Sequence, residues 1–230
     1  MIYLHIGTLK TGSKSIQKFL GDHREHLLAF GYSFYSGCCP NPNNHSELHL
    51  ATLRDDRDSL GRQKWPNKRG EQYKQQILSR VQQFLRSRKT PHAIFSNEGL
   101  SLLRYPDELD RLAEMIDGDD LRIILYLRNK KDFLRSYTNQ ICKVRGRHPL
   151  KDPNSALYVG FDSWLVDYKT LIKVYAACFG KQKIIVKNYD QELSKEGNIL
   201  NSFQTVLQLP TKTKIDSSSY WLNRSQNLLS

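Results

Sequence analysis

Short apolar runs alternate with amphipathic segments along most of the chain. The apolar runs cover residues 1–6, 93–96, 121–127 and 183–186. Runs of this length without polar alternation are typical of strands that are buried on both faces, as in a parallel sheet. Between the runs, apolar residues recur every three or four positions, which predicts helices with one buried face. The alternation predicts an α/β fold of three layers (α/β/α) around a mainly parallel central sheet.

The same pattern gives approximate bounds for the helices and loops. The predicted helices cover about residues 16–28, 45–54, 71–88, 107–116, 130–144, 163–178 and 198–207. A short strand is predicted at 32–35. The polar stretches that contain Pro or Gly, at 39–44, 56–70 and 146–160, are predicted loops, and we expect 56–70 to be exposed.

Length and composition favour a single globular domain over residues 1–230. Of the 230 residues, 39% are hydrophobic and 25% are charged, which is enough apolar material for a packed core. No apolar run is long enough to cross a membrane, and the first residues lack the pattern of a secretory signal. We therefore expect a cytoplasmic protein whose four cysteines, which form no CxxC pair, are free thiols.

The net charge is strongly positive. Lys and Arg number 35 against 23 Asp and Glu, which gives +12 at pH 7. Such an excess attracts polyanions, including nucleic acids, anionic glycans and nucleotides, without choosing between them. A basic nucleic-acid-binding protein is the weaker alternative, because no aromatic stacking motif or recognition helix accompanies the charge. No nucleic-acid partner is expected.

Three predicted strand ends carry the candidate chemistry. In open parallel sheets, ligands bind beyond the carboxyl ends of the strands. The residues at these ends are Gly7–Ser15, Ser96–Glu98 and Arg128. We expect them to meet at one edge of the sheet.

The first strand end has the pattern of an anion-binding loop. A strand leads into Gly7 and a helix follows Gly12, so the unpaired N–H groups of the first helical turn and its dipole face the loop. Hydroxyl and ammonium groups are concentrated there, in the segment Lys10-Thr11-Gly12-Ser13-Lys14-Ser15. The two glycines have the separation of a P-loop, which makes the predicted fold P-loop NTPase-like, but Ser13 stands where that motif has a lysine.

A P-loop kinase that uses ATP and magnesium is the main alternative. Such a kinase usually has an Asp at the end of a neighbouring strand to hold the metal. The strand at 121–127 ends in Arg128 instead, and no metal site is expected.

A second group of residues suits another phosphate. Arg128 closes a strand, and Ser136 lies two turns into the helix that follows. The planar guanidinium binds phosphate oxygens bidentately, and a hydroxyl can bind the same group. Two separate anion sites predict a ligand with phosphates at two positions.

These motifs resemble those of the sulfotransferases that use 3′-phosphoadenosine 5′-phosphosulfate (PAPS), in particular the bacterial, carbohydrate-type members. Residues 9–15 are similar to the family's 5′-phosphosulfate loop, and 128–137 to its 3′-phosphate motif. Softer similarities at 96–100 and 186–189 extend the resemblance over about residues 1–209. Two positions depart from the family pattern: Leu9 replaces the usual Pro, and Lys14 stands where Thr or Ser is common.

The resemblance implies transfer of a sulfuryl group from PAPS, the co-substrate, to a hydroxyl, with no metal. The protein would mainly orient the reactants and stabilise charge, and Lys10 would offset the charge that develops on the leaving 5′-phosphate. The residues expected to bind PAPS are Lys10, Thr11, Gly12, Ser13, Lys14, Ser15, Arg128 and Ser136.

An acceptor hydroxyl also needs a general base within hydrogen-bond reach. Glu98 ends a predicted buried strand and faces the same crevice, so we expect it to be the base. His45 and His49, one helical turn apart, are the alternatives, with His45 ranked second to Glu98.

The acceptor is expected to be a carbohydrate, and an anionic glycan would suit the basic residues outside the PAPS site. The residues that could line its groove are Arg54, Arg57, Arg62, Lys64, Lys68, Arg69, Lys143, Arg145 and Arg147.

Overall fold

The structure, a computed structural model, describes residues 1–116, 120–143, 148–209 and Tyr220. Its centre is a five-stranded sheet with the order β2-β3-β1-β4-β5, in which every neighbouring pair is parallel. The strands are β1 (Ile2–His5), β2 (Tyr32–Phe34), β3 (His92–Ser96), β4 (Leu121–Leu127) and β5 (Ile184–Asn188). The predicted α/β class and the mainly parallel sheet are confirmed.

Helices cover both faces of the sheet, as the alternation of strands and helices predicts. They are α1 (Ser13–Asp22), α2 (Arg24–Ala29), α3 (Ser46–Thr52), α4 (Leu60–Lys64), α5 (Glu71–Ser87), α6 (Pro106–Met115), α7 (Lys130–Cys142), α8 (Tyr168–Phe179), α9 (Tyr189–Glu196) and α10 (Ile199–Val206). Short 3-10 turns occupy Glu98–Leu102, Trp164–Val166 and Lys181–Lys183. The expected three-layer α/β/α arrangement follows.

The apolar residues form one core on each side of the sheet and a third cluster beside it. One core joins β1, β3 and β4 to α3, α5, α6 and α8, and the other joins the opposite sheet face to α1 and α10. The third cluster packs α7 against residues 156–166 and includes Leu9 of the first loop. The first loop is therefore held on one side by apolar packing.

The prediction that residues 56–70 form an exposed loop is wrong. The helix α4 lies within this stretch, and the Ser59 hydroxyl accepts the Arg62 N–H at 3.0 Å at its start. The Arg62 side chain is only 4% exposed, and its guanidinium donates to three backbone carbonyls, those of Leu50, Leu53 and Lys68. The polar composition of this stretch predicts exposure, but it does not show which polar side chains find partners. An arginine can be buried when backbone carbonyls accept its N–H groups.

Two predicted helices are interrupted. The pattern at 16–28 is divided between α1 and α2 at His23. Leu28, an apolar residue at the end of this pattern, is 51% exposed. The segment 163–178 begins with a 3-10 turn, and α8 starts only after Asp167, whose carboxylate accepts the Thr170 N–H at 3.1 Å. A side-chain cap of this kind fixes a helix start that periodicity alone does not show.

Candidate functional site

The loop between β1 and α1 is fixed by hydrogen bonds to its neighbour β4. Both the backbone N–H and the hydroxyl of Thr8 donate to the carbonyl of Tyr126, at 2.9 and 3.1 Å. The hydroxyl of Thr11 donates back to the Thr8 carbonyl at 2.6 Å. The loop is therefore ordered by the chain itself.

Gly12 turns the chain into α1 and leaves the first turn of the helix uncapped. Its φ of +81° lies in the left-handed region, and a Cβ built on it would lie 2.9 Å from Cγ2 of Ile199. No described side chain caps α1. The first N–H groups of this helix are consequently available to an anion.

Ser13, the first residue of α1, has a hydroxyl that needs a partner. The residue is 5% exposed, and its Oγ has no hydrogen-bond partner within the described residues. An unpaired buried hydroxyl is costly. An oxyanion bound at the helix start would supply an acceptor for it.

The charge of Lys10 is influenced by other cations. Partial burial lowers the pKa of its ammonium group, and the positive charges of Lys14, Arg128 and Lys143 lower it further. The carboxylate of Glu98 acts in the opposite direction. Four cations and one carboxylate repel each other on balance, so the binding of an anion here would be favourable.

Arg128, predicted to end a strand, is tied directly to the first loop. Its guanidinium donates to the carbonyl of Lys10 at 3.1 Å and lies 5.5 Å from the ring centre of Tyr189. The hydroxyl of Tyr168 donates to the Arg128 carbonyl at 2.9 Å. The buried Nε of Arg128 has no hydrogen-bond partner among the described residues. The two predicted anion-binding segments thus meet, as expected for neighbouring strands β1 and β4.

The helix that carries Ser136 starts directly beside Arg128. Asn129 caps α7 by accepting the Lys131 N–H at 3.0 Å, and its own N–H donates to Asp190 at 2.8 Å. Ser136 is half-buried and lies seven residues after Asn129. Residues seven apart share a face of an α-helix. Ser136 therefore lies on the same side of α7 as its cap residue Asn129.

Glu98 follows β3 and packs against the start of the first loop. A Cβ built on Gly7 would lie 2.9 Å from Cβ of Glu98. The amide of Gln17 donates to Oε2 of Glu98 at 2.8 Å. Gln17 is 2% exposed and lies on α1. This amide fixes one oxygen of the carboxylate at the edge of the sheet where Lys10 also lies.

The ring of His45 is held inside the protein by two backbone hydrogen bonds. Its Nε2 is bonded to the carbonyl of Tyr35 at 2.9 Å, and its Nδ1 accepts the N–H of Ser96 at 3.0 Å. Burial lowers the pKa of both His45 and His49 to about 3. The ring of His49 is also buried, with Nε2 2.9 Å from Oγ of Ser59. Neither ring is exposed to a substrate, so neither can act as the base.

Three of the basic residues expected to line an acceptor groove are engaged in other contacts. Arg54 pairs with Asp107, Arg57 pairs with the buried Glu108, and Arg62 is internal. Arg145 and Arg147 lie outside the described residues. The charge of Lys143, another residue of this set, lowers the pKa of Lys10.

The sequence reasoning missed two residues that hold the site: Gln17 and Tyr168. Gln17 left a signal, because it is a polar residue on the face of α1 that also carries Ser13 and Leu20, all buried. Tyr168 left none, since it reaches Arg128 from a distant part of the chain. Tyr189, which lies in the similarity at 186–189, was predicted without its contact to Arg128.

Within the described ranges, no group of three or more His, Cys, Asp or Glu residues could hold a metal ion. In the same ranges, no helix has the length and apolar character that crossing a membrane requires.

The fold, but not the sequence, matches a known protein. No protein-family model matches the chain, and no curated protein matches it. The crystal structure of a sulfotransferase from Alicyclobacillus acidocaldarius is similar, with a TM-score of 0.62 and 17% sequence identity. The match covers 94% of this chain and 84% of that one. The chain has a sulfotransferase-like fold. At this identity the likeness extends to the fold and not to the activity.

Proposed function

We propose that the protein is a sulfotransferase that moves a sulfuryl group from PAPS to a hydroxyl of a carbohydrate. The observation that carries this proposal is that Arg128 bonds to the carbonyl of Lys10 while Glu98 packs against Gly7 at the start of the same loop. The charges of Lys14 and Lys143 also act on Lys10. Cations suit the phosphates of a donor, and a carboxylate beside them suits proton transfer from an acceptor. The sulfotransferase-like fold supports the same reaction class.

The residues present fit a donor with two phosphates. The uncapped start of α1 and the unpaired hydroxyl of Ser13 suit the 5′-phosphosulfate. In the proposal, residues 10–15 hold that group, while Arg128 and Ser136 hold the 3′-phosphate. The unpartnered Nε of Arg128 supports its part in this assignment.

The proposed reaction is an in-line displacement at sulfur. The acceptor oxygen forms a bond to sulfur while the bond between sulfur and the oxygen of the 5′-phosphate breaks. Glu98 takes the proton of the acceptor hydroxyl, and Gln17 holds the carboxylate in place. Lys10 stabilises the negative charge that develops on the leaving phosphate. This scheme does not require a metal.

The carbohydrate acceptor and the cytoplasmic location are the finer parts of the proposal. The charge of +12 favours an anionic glycan. All four cysteines are free, which suits a reducing compartment.

The proposal is tested by comparing donors. The protein is incubated with a panel of sugars and either PAPS labelled in its sulfuryl group, with a chelator present, or ATP labelled in its terminal phosphate, with magnesium. We expect label to move from PAPS to at least one sugar. Transfer from ATP alone would identify a kinase instead, and transfer from neither donor to any sugar would also contradict the proposal.

A further inference from the structure

Two adjacent cysteines follow β2, in a loop that the proposed reaction does not use. Cys38 is exposed and Cys39 is buried. The ammonium group of Lys68 donates to the sulfur of Cys39 at 3.3 Å. A cation thus lies against the buried sulfur of the pair.

The charges around the pair divide the two thiols into different roles. A hydrogen bond from Cys39 lowers the pKa of Cys38 to about 7, and the charges of Lys68 and Arg80 act in the same direction. Burial and the carboxylate of Glu47 oppose this shift, and Glu47 also accepts the Cys38 N–H at 3.2 Å. The pKa of Cys39 is raised, first by its bond to Cys38. The exposed Cys38 sulfur is therefore about half ionised near neutral pH, while the buried Cys39 keeps its proton.

We propose that Cys38 and Cys39 form a redox modification site that reacts with hydroperoxides and closes to a disulfide. The Cys38 thiolate attacks a peroxide oxygen, the O–O bond breaks, and the remaining oxygen leaves as water or an alcohol after taking a proton from solvent. Cys38 is then a sulfenic acid. The Cys39 sulfur attacks the Cys38 sulfur, the S–O bond breaks, and water leaves with the Cys39 proton. The cysteines lose two electrons and the peroxide gains them.

The geometry of adjacent residues makes this disulfide reversible. Consecutive Cα atoms are about 3.8 Å apart across a trans peptide, whereas disulfides usually join Cα atoms about 4.4–6.8 Å apart. A bond closed across the shorter distance is strained, and strained disulfides are easily reduced by dithiols. The site suits a reversible modification rather than a structural cross-link, and it does not depend on the proposed transferase activity.

The test is oxidation of the full chain with one equivalent of hydrogen peroxide at pH 7, followed by alkylation with iodoacetamide and peptide mass spectrometry. The peptide that contains Cys38 and Cys39 is expected to lose two hydrogens and to escape alkylation. Cys142, which is also exposed, is expected to remain a thiol and to be alkylated. Dithiothreitol should restore alkylation of the pair.

Two further measurements separate this site from an ordinary exposed thiol. Without peroxide, Cys38 should be alkylated about fivefold to tenfold faster at pH 7 than the thiol of a short unstructured cysteine peptide, because its lowered pKa leaves a larger fraction as thiolate. In Cys39→Ser, dimedone should trap the sulfenic acid on Cys38, and no disulfide within the peptide should form. Equal oxidation of Cys38 and Cys142 would overturn the proposal. So would wild-type protein in which Cys38 is oxidised only to a sulfinic acid or to a disulfide between two chains.

Discussion

Lys10 combines a left-handed backbone with a partly buried ammonium group. Its φ is +66°, and burial together with three nearby cations lowers its pKa. A non-glycine residue in this backbone region is uncommon, and such strain is concentrated at functional sites. The surrounding structure thus holds the backbone of Lys10 in an unfavourable conformation, which is consistent with a role in binding or catalysis.

Replacing Lys10 with alanine should lower turnover by about a hundredfold, because a charge aimed at the leaving phosphate is lost. The measurement is the initial rate with PAPS and a sugar acceptor. The matched control is Lys18→Ala, since Lys18 is an exposed lysine of α1 that pairs with Asp22 at 2.6 Å. Near-normal turnover in Lys10→Ala would remove the lysine from the mechanism.

Glu98→Gln should eliminate the acidic limb of the pH–rate profile together with most of the activity. The amide keeps the size of the side chain but cannot accept the proton of the acceptor hydroxyl. The profile of Glu25→Gln, which changes an exposed carboxylate on α2, should match that of the wild type. An unchanged acidic limb in Glu98→Gln would mean that another group is the base.

Among the elements, the start of α1 gives the clearest stability prediction. Gly12 and Gly197 both have positive φ, at +81° and +69°. A Cβ on Gly12 would lie 2.9 Å from Ile199, whereas a Cβ on Gly197 would meet nothing within 4 Å. The pair therefore separates backbone strain from crowding.

Gly197→Ala should lower the free energy of unfolding by about 1–2 kcal/mol, the cost of a left-handed backbone. Gly12→Ala should lower it further, and it should also weaken binding of the donor. Urea denaturation of both variants measures the difference. Equal losses of stability would show that the contact with Ile199 is relaxed at little cost.

At the level of elements, the sequence predicts the central strands better than the connections. The bounds 121–127 of β4 agree with the structure because this run is apolar apart from Arg122 and is followed by polar residues, which marks a strand and its end clearly. The small helix α4 and the buried side chain of Arg62 were missed, since their stability comes from distant carbonyls. Periodicity reports which residues are apolar, but it does not show which polar groups find partners.

The same limit applies to the candidate site. The strand ends of β1, β3 and β4 predicted where Lys10, Glu98 and Arg128 would lie, because parallel neighbours end at one edge. The sequence did not show that Arg128 bonds to the carbonyl of Lys10, or that His45 is internal. Both facts depend on contacts between residues far apart in the chain.

For the whole molecule, buried histidines make stability depend on pH. Burial lowers the pKa of His5, His45 and His49 to about 3, whereas an unfolded histidine titrates near 6.5. Between these values the unfolded chain binds protons that the folded chain does not, so acid favours unfolding. Glu47 opposes this effect, because burial raises its pKa to about 7 and the folded chain takes up its proton first.

The free energy of unfolding should therefore fall by about 2 kcal/mol or more between pH 7 and pH 5, since three groups outweigh one and each contributes about 1.4 kcal/mol per pH unit. Urea denaturation at both pH values measures this change. High salt serves as the control, because it screens repulsion among surface charges but not the protonation of buried rings. Constant or rising stability toward pH 5 would contradict the assignment.

The central claim concerns the whole molecule: one ligand is held at two separate anion sites. Calorimetric titration with adenosine 3′,5′-bisphosphate and with adenosine 5′-monophosphate, both with a chelator present, tests it most directly. The wild type should bind the bisphosphate about tenfold to a hundredfold more tightly, the effect of one or two charge-assisted hydrogen bonds. Arg128→Met should lose this preference, while Arg135→Met, at an exposed position of α7, should keep it. Equal affinity of the wild type for both nucleotides, or a preference that survives in Arg128→Met, would contradict the account.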